Sequence, residues 1–98
     1  YDREKFARYD HRFHKQIALA TQNNVIVKIF EAIEVFLVSQ QLEIVYYNDA
    51  IERGITDHRA IMAAIRAGDP AKAAEEMDAH MERTYKAILE NTRKEELH

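Results

Sequence analysis

The stretch IMAAIRAGDPAKAAEEM, residues 61–77, holds the sharpest break in the sequence. Gly68 closes one helix, Asp69 caps the next, and Pro70 takes the first turn, where a missing backbone N–H costs nothing. Apolar residues recur at helical spacing on both sides: Ile61, Met62 and Ile65 before the break, Ala73, Ala74 and Met77 after it. So short a connection predicts two antiparallel helices.

The same reading extends in both directions. The fourth helix is expected over residues 70–95, with Ala73, Ala74, Met77, Met81, Tyr85 and Ile88 as its inner stripe. Thr56 is the expected N-cap of a short third helix over 57–67, and Gly54 stops the second. That second helix starts near Asn24 and carries Val25, Ile29, Ile33, Phe36 and Leu37 on one broad face. Its far end, Ile44-Val45-Tyr46-Tyr47, has strand-like composition, but an isolated strand would have no partner. The first helix covers 2–21 with Phe6, Phe13, Ile17 and Ala18 inward, and Gln22-Asn23-Asn24 breaks it, either Asn serving as the next cap. The expected fold is all-α, an antiparallel bundle of four helices.

Composition agrees. Among 98 residues there are 14 Ala, two Gly and one Pro, too few turn formers for an all-β fold. A net charge of −3 argues against this segment itself gripping a polyanion. No apolar run approaches the length of a membrane span, and no signal peptide is visible. The absence of Cys excludes disulfides and thiolate metal sites. The chain opens at Tyr1 directly into helical sequence and reads as a piece of a longer protein.

Four ionisable residues fall on apolar stripes. Asp10 and His14 stand one turn apart among Phe6, Phe13 and Ile17. His58 shares a face with Ile61, Met62 and Ile65, and His80 lies between Met77 and Met81. His11 falls on a polar face and His98 at a frayed end. A single inward His is usually a hydrogen-bonded core residue. An inward carboxylate needs a cation or a metal, and Lys5, Arg8, Arg12 and Lys15 all point away from Asp10. The i, i+4 spacing brings Asp10 and His14 to one point, as two ligands from one helix must be. Taken as a set, Asp10, His14, His58 and His80 read as ligands of a divalent transition metal. Three imidazoles and one carboxylate suit Zn or Ni foremost, with Mn, Co or Fe also compatible. His58, placed in the first turn of its helix, would be kept neutral by the helix dipole. Thr21 and Thr84 lie on the same stripes and are candidate effector contacts, against the plainer reading that each bonds back to its own helix.

Other chemistries lack their parts. There is no HExxH, no Gly-rich phosphate loop, and the single Ser, Ser39, sits mid-helix with no His nearby in sequence.

Three stretches resemble the FCD domain, the C-terminal effector-binding domain of FadR-like regulators of the GntR family. Asp10-His11-Arg12-Phe13-His14 followed by Gln22-Asn23-Asn24 resembles that family's D-x-x-F-H … G-N-P. The run from Asp57-His58-Arg59 through Ile61, Ala64 and Ile65 to Gly68-Asp69 resembles E-H-R-x-I-x-x-A-I-x-x-G-D. Ala73-Ala74 and His80-Met81 resemble A-A-x-x-x-M-x-x-H-L. The resemblance covers nearly the whole chain. It implies that Asp10, His14, His58 and His80 hold a divalent ion, with an organic-acid or sugar-acid effector bound at or beside it. It further implies a cytoplasmic homodimer acting on operator DNA through a winged helix-turn-helix domain. That domain and the first FCD helices are absent here, so residues 1–98 are expected to form an effector- and metal-binding domain incomplete on its N-terminal side. Asp57 replaces the family's Glu, and Gln22 replaces a Gly whose backbone angle Gln tolerates less well.

The expected function is therefore a metal-dependent sensing domain without catalysis. A small metal-dependent helical-bundle enzyme is the first alternative. It is disfavoured because no second carboxylate is expected inward near the four ligands. The other is a metal-free helical interaction module whose histidines form a polar core.

Overall fold

The computed structural model describes residues 2–96. The described residues form α1 (Arg3–Ala20), α2 (Asn24–Ile44), α3 (Ala50–Arg66) and α4 (Pro70–Glu96), with no strand among them. The all-α expectation holds. The chain divides into two compact units, residues 1–46 and 47–98, each a pair of packed helices.

In the first unit the Asp2 carboxylate caps α1 by accepting from the Lys5 backbone N–H at 3.0 Å. The turn into α2 takes Gln22 through φ +54°, the left-handed region. That is the conformation a Gly would adopt without strain. Asn23 is the cap of α2, its Oδ1 accepting from Val25 and Ile26 N–H. The two helices run antiparallel and are joined by a half-buried polar cluster. His11 Nε2 donates to Glu34 Oε2 at 2.7 Å, its Nδ1 lies 3.2 Å from Gln41 Oε1, and Lys15 Nζ donates to the same Glu34 oxygen at 3.0 Å. The His11 ring also lies 5.5 Å from that of Phe30. His11 thus packs against α2, where the sequence placed it on a polar face. Its polar partners sit on the next helix and leave no mark on the periodicity of α1.

These bonds hold the Glu34 carboxyl below the ordinary 4.5, the His11 bond contributing most and the Lys15 bond next, against a smaller opposing effect of burial. A lowered carboxyl stabilises the fold fully above its unfolded value and loses that contribution as pH falls through the folded value. Glu34→Gln is therefore expected to be less stable than the parent at about pH 6. The difference should close as pH drops well below about 4.5. Urea melts of both proteins at the two extremes test this, and an equal gap at both would refute it.

The broad face of α2 is not a core face. Val25 (68%), Ile29, Ile33 and Phe36 (75%) are exposed, and α2 buries no residue fully. Only Leu37 of the expected set is half-buried.

The second unit corrects the sequence reading more sharply. The second helix ends at Ile44, ten residues before Gly54, and α3 is already formed at Ala50. Asp49 enters it at φ +60° without a side-chain cap bond. Gly54 lies inside α3 and is buried, on the stripe Ile51, Gly54, Asp57, Ile61 and Ala64. Burial on that stripe offsets the roughly 1 kcal/mol that Gly costs a helix interior. Thr56 is therefore not a cap. Its hydroxyl donates to Glu52 O at 3.0 Å within the helix. The break at 67–70 stands as read: Gly68 takes φ +68°, and Asp69 Oδ1 accepts from Lys72 N–H at 2.9 Å.

The inward face of α4 is rotated from the expected stripe. His80 and Ala87 are buried, with Ala73, Met77, Thr84, Ile88 and Asn91 half-buried. Ala74, Met81 (51%) and Tyr85 (57%) face outward instead. Two apolar rows run along α4, and the one bearing the smaller and more polar residues faces inward.

Candidate functional site

In the first unit α1 presents Asp10 and His14 as the sequence requires. Their side chains are each 19% exposed, and Asp10 Oδ1 lies 3.3 Å from His14 Nε2. The Phe13 and His14 rings meet edge to face at 5.4 Å. Thr21 stands at the C-terminal end of the same helix, where its hydroxyl donates to Ala18 O at 2.6 Å and accepts from Asn23 N–H.

In the second unit the two remaining histidines come together. The rings of His58 on α3 and His80 on α4 lie 5.2 Å apart at 73°. The Nε2 atom of His58 is buried. His58 is the ninth residue of α3, not in its first turn, so the helix dipole has no hold on it. Thr84 lies one turn beyond His80 and donates to its backbone carbonyl at 3.0 Å. That bond spends the hydroxyl proton and leaves the oxygen able to accept.

The second unit also holds a carboxylate where the sequence reading expected none. Asp57 is 7% exposed. Its Oδ2 accepts from His80 Nδ1 at 2.8 Å and from Arg83 Nε at 3.2 Å, while Oδ1 accepts from Arg83 Nη2 at 2.6 Å. Burial, the largest single influence, pushes the Asp57 carboxyl up, but the bonds from Arg83 and then His80 together bring it below the ordinary 3.8. With both oxygens engaged and its affinity for protons lowered, it is a poor general base. Asp57 is hard to single out from sequence because Thr56 has the character of a cap, which would make Asp57 an ordinary first-turn acid. The signal was the i, i+3, i+4 register linking it to Ile51, Gly54, Ile61 and Ala64.

The residues fit a metal on chemical grounds. An ionised carboxylate offers only acceptors, so the bond from His80 Nδ1 requires the proton on that nitrogen. In the neutral ring the Nε2 lone pair is then the one available to a metal. Imidazole and carboxylate donors suit divalent transition ions.

No helix among the described residues is long and apolar enough to cross a membrane. The family model of the FCD domain matches residues 1–83. No curated protein and no solved structure matches the chain.

Proposed function

Because the chain belongs to the FCD-domain family, the ligand-binding domains of DNA-binding transcription regulators, we propose that residues 1–98 sense an anionic effector through a bound divalent metal in a GntR-type regulator. Asp10, His14, His58 and His80 are the ligands in this reading, with Zn or Ni foremost and Mn, Co or Fe compatible. One carboxylate against a divalent ion leaves a local charge near +1, which draws an organic-acid or sugar-acid effector to an open coordination position. Thr84, with a hydroxyl oxygen able to accept, is the first effector contact. Thr21 is a second.

The domain catalyses nothing in this reading. Effector binding biases two arrangements of a homodimer, and only a difference in affinity for the two can reach operator DNA. The observation that carries the proposal is the close pair of inward imidazoles, His58 and His80, with the tautomer of His80 set by a buried carboxylate. Elemental analysis of untagged protein purified without added metal or chelator tests it. About one equivalent of a divalent transition metal per chain, lost in His80→Ala, is the expected result. Protein that arrives empty and refuses both Zn and Ni would leave the histidines as a polar core, as in the metal-free interaction module. Where the metal is found, the loaded protein is screened against organic acids by thermal shift.

A further inference from the structure

The buried carboxylate of Asp57 has no place among the proposed ligands, yet its Oδ2 lies 2.8 Å from His80 Nδ1. We propose that Asp57, clamped by Arg83, is the positioning residue of the metal centre: it holds the proton on His80 Nδ1 and turns Nε2 toward the ion. This rests on the metal reading above.

The geometry supplies each part. The 2.8 Å bond fixes one edge of the His80 ring, and a carboxylate in that position can only accept. Asp57 is itself held by two donors of one guanidinium, at 2.6 and 3.2 Å, a fork that restrains the carboxylate plane. Arg83 lies one turn beyond His80 on α4, so the clamp and the ligand move as one rigid element. Asp57 precedes His58 directly on α3, so the two helices that carry the imidazoles are tied together by the same carboxylate. Arg83 also compensates the buried charge, which Asp57 alone could not sustain. Outer carboxylates of this kind fix the ring orientation of a metal-bound His and raise its basicity.

The test uses 15N-labelled protein and long-range 1H–15N spectra of the His80 ring at about pH 8, where free imidazole is neutral. Metal affinity is measured in parallel by competition with a chromophoric chelator. In metal-free wild type the proton is expected on Nδ1. On addition of Zn, the Nε2 signal should move to the metal-bound range while Nδ1 keeps its proton. Asp57→Asn is expected to mix the two tautomers and to weaken Zn binding about 10- to 100-fold.

A wild-type ring protonated on Nε2, or Zn bound through Nδ1, would overturn the inference without recourse to any variant. So would an Asp57→Asn protein that folds and binds Zn as tightly as its parent. The wild-type spectra decide the matter even if the variant does not fold. Failure of the metal reading itself is distinguishable: the wild type would take up no Zn, although His80 still carried its proton on Nδ1.

Discussion

Replacing Ile61 by Ala is expected to cost about 2–5 kcal/mol of stability and to lower the thermal midpoint by roughly 10–30 °C. Ile61 is the largest fully buried side chain among the described residues, at 1% exposure. The substitution removes three carbons from the middle of the α3 stripe, forfeiting their transfer from water and leaving a cavity that two packed helices cannot fully close. The position matters because the buried apolar set is small. Among the described residues, and apart from alanines, it comprises Val45, Ile51 and Ile61. Phe36→Ala is the control. That side chain is larger but 75% exposed, and its loss is expected to change stability by no more than about 0.5 kcal/mol. Chemical denaturation followed by circular dichroism compares the two. A loss below about 1 kcal/mol for Ile61→Ala would contradict the packing described for the second unit.

Metal loading is expected to have the second large effect. If the four proposed ligands hold Zn or Ni in the folded state alone, free metal at a thousandfold excess over Kd adds about 4 kcal/mol to the stability. Chelator should remove that gain, and His80→Ala and Asp10→Ala should not show it. The two variants test different halves of the ligand set, since Asp10 lies on α1 and His80 on α4. A gain that survives in both would place the metal elsewhere on the chain. Unfolded His-containing chains also bind these metals, which reduces the observed shift, so the comparison with the variants decides rather than the absolute size.

The ligand candidates were legible because a helix advertises its ionisable residues by register. Asp10 and His14 are one turn apart in any helix that contains both, and their 3.3 Å approach follows from that spacing. The polar partners of these helices were less legible. His11 finds Glu34 and Gln41, and His80 finds Asp57, each across 23 or more positions of sequence. Such pairs leave no periodic trace in either helix, so only the packing of one helix on the other reveals them. Asp57 was further hidden by a local conflict. Thr56 resembles a cap and Gly54 a stop, and both signals are overridden by burial of the α3 stripe.

The sequence by itself determined that the chain is helical, where three of the four helices begin, and which ionisable residues fall on apolar stripes. These are local properties: propensity, capping at Asn23 and Asp69, and spacing along one helix. Tertiary structure alone decided which apolar row of α4 faces inward, that α2 keeps Phe36 and Ile29 exposed, and that α3 runs through Gly54. The physical reason is that a periodic pattern names candidate faces, whereas the choice between them depends on what the neighbouring helix offers. On α4 the inward row is the one that brings His80 to the buried carboxylate of Asp57.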